Sequence, residues 1–94
     1  MQVNPEVESV EAVLRLHVSA GMTYRDLRET NSFATYRRLT GHEFVPDGPT
    51  AAEQAEDAAE ILRLHRAGGM SVDKLKATPS WTTFHRISGS EFQF

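Results

Sequence analysis

Two arginines, Arg38 and Arg86, stand 48 residues apart in matching contexts, Tyr36-Arg37-Arg38-Leu39 and Phe84-His85-Arg86-Ile87. An arginine holds its N–H donors in a flat, rigid fork. That fork suits a phosphate, or the two acceptors on one edge of a guanine. Small hydroxyl residues recur around them at the same offset, Ser32 with Ser80 and Thr35 with Thr83. Such hydroxyls either donate to phosphate or cap a helix. Ala34 pairs with Thr82, and Arg37 with His85, so these positions match in place but differ in chemistry. Further cations, Arg25 and Arg28 in the first half and Lys74 and Lys76 in the second, lie just upstream. The competing reading of Arg38 and Arg86 is a solvated arginine paired with Glu43 or Glu91, which also recur.

Other chemistries are poorly served. The chain has no cysteine, which excludes disulfides, thiolate zinc sites and a cysteine nucleophile. His17 and His65 recur, but neither has a histidine or carboxylate at metal-ligand spacing on its face. They are expected to be core or interface histidines bonded to a backbone carbonyl. Arg15 and Arg63 fall nearly opposite the apolar arc and are expected to be exposed. No glycine loop for phosphate, nucleophile elbow or clustered acid and base is visible. The expectation is therefore no enzyme, no metal and no cofactor.

These residues are positioned by an internal repeat. Residues 7–44 align with residues 55–92 without a gap, and fifteen of the 38 paired positions are identical. One supersecondary unit occurs twice. The division runs as residues 1–44, a stiff Val45-Pro46-Asp47-Gly48-Pro49 linker at 45–49, and residues 50–94. Each half reads as three helices, so the fold class is all-α. Asn4-Pro5 opens the first helix of one half, and Thr50 with Glu53 forms a capping box in the other. Gly21 and Gly69 end those helices. Thr23 and Ser71 cap short second helices, Tyr24–Glu29 and Val72–Ala77. Third helices follow from about Phe33 to Thr40 and Trp81 to Ser88, capped by Ser32 and Ser80 or by Thr30 and Thr78. They end at Gly41 and Gly89, after which Phe44 and Phe92 fold back onto the core.

On a helical wheel Phe33, Tyr36, Leu39 and Thr40 share one arc, and Ala34, Thr35 and Arg38 the other. In the second half the inner arc is Trp81, Phe84 and Ile87, and the outer arc Thr82, Thr83 and Arg86. The inner arcs are core, and Phe33 and Trp81 are not base-stacking platforms.

The segment Gly21-Met22-Thr23-Tyr24-Arg25-Asp26-Leu27 followed by Ser32-x-x-Thr35-Tyr36-Arg37-Arg38-Leu39 resembles a helix-turn-helix of the homeodomain-like and resolvase-like kinds. Tandem units of this sort are similar to small DNA-binding proteins of bacteriophages and actinobacteria. The resemblance covers about 76 residues, counting both halves. It implies that the third helix enters the major groove of double-stranded DNA, with its outer small polar residues and arginines on bases and phosphates. From Leu27 to Thr35 the chain is about two residues shorter than the usual spacing, which bears on the docking angle.

Charge fits this better than the total suggests. The net charge is −3, and duplex binders normally leave a basic footprint. Residues 22–42 and 70–90 are each basic by two charges, and the acid lies elsewhere, largely in the first helices. There it favours the helix dipole.

The two halves are expected to pack through their first helices into one six-helix domain, because a 38-residue unit buries little surface alone. Their third helices would then enter successive major grooves about 34 Å apart, giving two unequal half-sites. The chain would act as a small transcriptional regulator, either a monomer with pseudo-dimeric repeats or a homodimer. The alternative is an adaptor or inhibitor that binds a protein through acidic first-helix surfaces at Glu8, Glu11, Glu56 and Glu60, for example a small phage protein acting on a host protein. No apolar run reaches the ~18–20 residues of a membrane span, and the opening residues lack a secretory pattern, so a cytoplasmic location is expected.

Overall fold

A computed structural model describes residues 3–93, and those residues form six α-helices and no strand. The helices are α1 (Pro5–Ser19), α2 (Tyr24–Leu27), α3 (Asn31–Thr40), α4 (Ala51–Ala67), α5 (Val72–Lys76) and α6 (Pro79–Ser88). The all-α class expected from periodicity holds.

Local chemistry sets the boundaries. The Asn4 side chain accepts from the Glu6 amide at 3.0 Å, and Pro5 begins α1. Thr50 and Glu53 form the reciprocal capping box that opens α4. Both long helices end alike. Gly21 and Gly69 take φ values of +92° and +97°, which glycine adopts without a Cβ penalty. Their amides, and those of Met22 and Met70, turn back onto carbonyls of the last helical turn.

The passage from the second to the third helix is where sequence and structure differ. The caps of α3 and α6 are Thr30 and Thr78, not Ser32 and Ser80, and the helices start at Asn31 and Pro79. The Thr30 hydroxyl donates to the Leu27 carbonyl at 2.7 Å and accepts from the Phe33 amide at 3.2 Å. Thr78 does the same with Leu75 at 2.7 Å and Trp81 at 3.3 Å. One side chain closes a helix and opens the next, so no further turn residues are needed. This accounts for the short spacing, and for α2 and α5 ending at Leu27 and Lys76 instead of Glu29 and Ala77.

Three apolar clusters hold the chain together. Leu14, Leu27, Phe33, Tyr36 and Phe44 form one, inside α1–α3. Ala58, Leu62, Leu75, Phe84 and Phe92 lie in the second, inside α4–α6, with Trp81 packed against it. Phe44 and Phe92 fold back after Gly41 and Gly89 as expected, edge-on to Tyr36 at 5.4 Å and to Phe84 at 5.5 Å. Each fully buried leucine or phenylalanine among them contributes roughly 1.5–3 kcal/mol.

The third cluster joins the halves. It contains Val7, Ala51, Ala55 and Ile87, with Val3 and Leu39 packed on it. These six residues are three pairs at the repeat offset: Val3 with Ala51, Val7 with Ala55, Leu39 with Ile87. The same patch of each half therefore faces the other, the arrangement of a two-fold dimer interface. The contact is made by third helices as well as first helices, α3 against α6 and α1 against α4. The body is elongated, 47 × 20 × 19 Å.

Polar bonds fix the joint. The Glu11 carboxylate accepts from the Ala51 amide at 2.7 Å, placing a negative charge on the N-terminus of α4. Gln54 donates to the Tyr36 hydroxyl at 3.2 Å, and the Asn4 amide to the Ile87 carbonyl at 2.9 Å. Gly48 closes the linker turn onto the Val45 carbonyl at 2.9 Å.

Candidate nucleic-acid interface

The solvent face of α3 carries Ala34, Arg37 and Arg38, and that of α6 carries Thr82, His85 and Arg86. These six positions are three offset pairs, so the two third helices present the same face. Thr35 and Thr83 stand at its edge. Both are half-buried, Thr35 beside Pro5, Glu6, Ser9 and Val10 of α1, and Thr83 beside the matching stretch of α4, although Thr83 also lines a hollow with Thr82, Arg86 and Gly41. They sit on the edge of the wheel that turns toward the first helix. Ser32 and Ser80 are half-buried too, and neither caps its helix.

Arg38 has no carboxylate within ion-pair distance among the described residues. Glu43, the partner weighed for it, instead approaches Arg28 at 3.7 Å and Arg37 at 4.0 Å. Arg86 likewise has no acidic partner there. Its guanidinium lies against Gly41, where a Cβ would overlap Nη1 and stand 3.3 Å from Cζ. Gly41 thus meets two demands: a φ of +80° to end α3, and room for Arg86.

This contact corrects the spacing expected from the sequence. Arg86 touches the residue three after Arg38, and three helical residues advance only about 4.5 Å. The two positions therefore lie close along the α3–α6 contact, well inside the ~34 Å that separates successive major grooves.

The remaining cations divide. Arg25 and Lys74 are exposed with no acidic partner among the described residues. Arg28 and Lys76, an offset pair, stack over the aromatic ring that opens each third helix. Arg28 stands 6.0 Å from the Phe33 ring and Lys76 stands 5.9 Å from Trp81. Their stems and charge support that ring first, an interaction of roughly 0.5–1 kcal/mol at an exposed site.

Two further expectations change. His65 is exposed and His17 only half-buried. His17 stands about 60° round the wheel from Leu14, at the margin of the buried arc, and neither ring bonds a carbonyl among the described residues. Arg15 is not a free surface residue. It stacks on the Phe44 ring at 5.2 Å, approaches Glu11 at 3.6 Å and reaches the Pro46 carbonyl at 3.5 Å. Its Nε and Nη2 are buried without a hydrogen-bond partner among the described residues. The linker folded across α1 covers it. Arg63 matches the expected exposure and pairs with Glu56 at 3.6 Å.

Sequence reasoning missed the joint residues Glu11, Arg15 and Gln54. A signal existed for one of them: Glu11 stands where the second half has the buried Ala59. Burial, the strongest cause, holds the Tyr36 phenol above its ordinary value near 10, against the lowering effect of the Gln54 bond.

No group of three or more histidines and acids that could hold a metal lies together among the described residues. None of their helices is long and apolar enough to cross a membrane. The chain matches no protein-family model, no curated protein and no solved structure.

Proposed function

We propose that each helical triplet is a helix-turn-helix unit, and that the chain is a covalent pseudo-dimer binding double-stranded DNA as a small sequence-specific regulator. The reading rests chiefly on Arg38 and Arg86. They recur at one position, are exposed and lack an acidic partner among the described residues, and Arg86 reaches Gly41 at the end of the helix that carries Arg38. Two guanidiniums free of carboxylates on touching helices suit phosphate or guanine. Ala34, Arg37, Thr82 and His85 flank them. The differences at those positions favour an asymmetric site over a palindrome. Arg25 and Lys74 extend the positive surface toward phosphates on either side.

Because the two positions lie close on touching helices, the complex is expected to occupy one short DNA segment. The spacing between successive grooves plays no part in it. A mobility-shift titration across salt tests the reading. Binding should weaken steeply as salt rises, by counterion release, and should be lost in Arg38→Ala combined with Arg86→Ala. Absence of binding to any duplex at low salt overturns it.

The adaptor reading draws support from a different observation, apolar side chains left open on α1 and α4.

A further inference from the structure

The exposed large apolar side chains include two offset pairs, Val13 with Ile61 and Leu16 with Leu64. Leu16 is 68% exposed and Leu64 66%, while Val13 and Ile61 are 39% and 43% exposed. A lone exposed leucine needs no explanation. Here the same two positions are apolar and open in both halves, although most other paired positions have diverged. The fold does not require them, since neither leucine belongs to a core cluster.

Residues three apart share one face of a helix, so each pair makes a strip along the outside of α1 or α4. In the second half Ile61 also lines a groove between α4 and α6, with Ala58 and Thr83. In the first half a matching groove holds Val10 and Thr35. In the second half the strip and the groove share Ile61, and in the first Val13 stands one helical turn beyond the groove's Val10. Their rims are acidic. Glu6 and Glu8 on α1, and Asp57 and Glu60 on α4, are exposed and have no basic partner among the described residues.

We propose that this surface, present once on each half, docks an amphipathic helix of a partner protein whose apolar stripe is flanked by lysine or arginine. The leucine strip takes the apolar stripe, as in helix-in-groove recognition, and the acidic rims select the basic flanks. A second copy of this chain is the wrong occupant. It would bring its own Glu6, Glu8, Asp57 and Glu60 against the same residues, and like charges in a contact are costly. Nucleic acid is disfavoured by those same carboxylates, whose repulsion reaches about 8 Å at physiological salt. The inference does not depend on the DNA-binding reading, since it uses neither Arg38 nor Arg86.

The test is an NMR titration of the full chain with helical peptides about 18 residues long, enough for five turns. The peptides share one leucine stripe and differ in flanks of Lys/Arg, Gln or Glu. The basic peptide should shift the amides of Val13, Leu16, Ile61 and Leu64 and bind roughly tenfold or more tightly than the acidic one. Leu16→Ser with Leu64→Ser should weaken it by roughly tenfold or more while leaving the thermal midpoint unchanged. Arg38→Ala with Arg86→Ala should bind the peptide as the parent chain does. The proposal is overturned if the basic peptide fails to bind at millimolar concentration, or binds no better than the acidic one. It is also overturned if the serine variant keeps full affinity. Doubling of mass in the parent chain that the serine variant abolishes would assign the strip to a second copy and overturn it too.

Discussion

Arg15 and Arg63 occupy the same position of the repeat and have different surroundings. Arg15 is covered by the linker, stacks on Phe44 and approaches Glu11. Arg63 stands 5.8 Å from the Phe92 ring but is otherwise open, pairing only with the exposed Glu56. Four residues earlier, Glu11 caps α4 while its counterpart Ala59 is buried against α6. The two halves share a core design. Along one edge of α1 the first half meets the linker and the start of α4, and at the matching place the second half has the buried Ala59. At Glu11 and Ala59 the residues differ with their environments, whereas at Arg15 and Arg63 one residue type serves two environments.

Making the copies alike should break this most severely. Ala59→Glu would bury a carboxylate where no backbone amide waits for it, at a cost of about 3–5 kcal/mol in urea unfolding. Next comes the shared interface. Ile87→Ala should cost about 2–4 kcal/mol, because the side chain is fully buried at the joint. Glu11→Ala should cost about 1.5–3 kcal/mol, by removing a charged acceptor from the Ala51 amide. Arg15→Ala should destabilise by about 1 kcal/mol, and Arg63→Ala by less than about 0.5 kcal/mol, the range of an ordinary surface change. Equal losses for the two arginines would remove the contrast altogether.

Tyr36 sharpens the comparison through pH. Its neutral form is favoured in the folded chain, so its share of stability is complete below about pH 10. That share is lost as pH rises from there through the raised folded value. Tyr36→Phe should cost about 1 kcal/mol at neutral pH, through loss of the Gln54 bond. It should also flatten the stability profile above pH 10, where the second half, with Phe84 in that place, contributes nothing comparable.

Much of the local fold was legible in the residues. Asn4-Pro5, the Thr50–Glu53 box and Gly41 and Gly89 each carry a local chemistry that fixes a helix end whatever surrounds it. The wheel also separated Phe33, Tyr36 and Leu39 from Arg38. It was less able to rank competing caps, since Ser32 and Thr30 are both good ones. The choice fell to Thr30 because its hydroxyl also reaches the Leu27 carbonyl three residues back, a local geometry that cap preference alone does not rank. The joint was hidden for a different reason. Val7 and Leu39 are apolar like any core residue, and periodicity shows which face is buried without showing against what. The same limit applies to Leu16 and Leu64, whose hydrophobicity reads as core although both stand open. At the candidate site, the identity of Arg38 and Arg86 was visible from the repeat. The closeness of the two positions was not, because it depends on Gly41 lying under the Arg86 guanidinium.

The central structural claim is that two copies of one unit form a single folded body, and the chain carries its own probes for it. Both tyrosines, Tyr24 and Tyr36, lie in the first half, and the single tryptophan, Trp81, in the second. Equilibrium urea unfolding followed by tyrosine NMR signals and by Trp81 fluorescence should give one coincident midpoint, as a two-state body requires. Two separated midpoints in the unaltered chain would contradict the account, because each half would then be standing without the other.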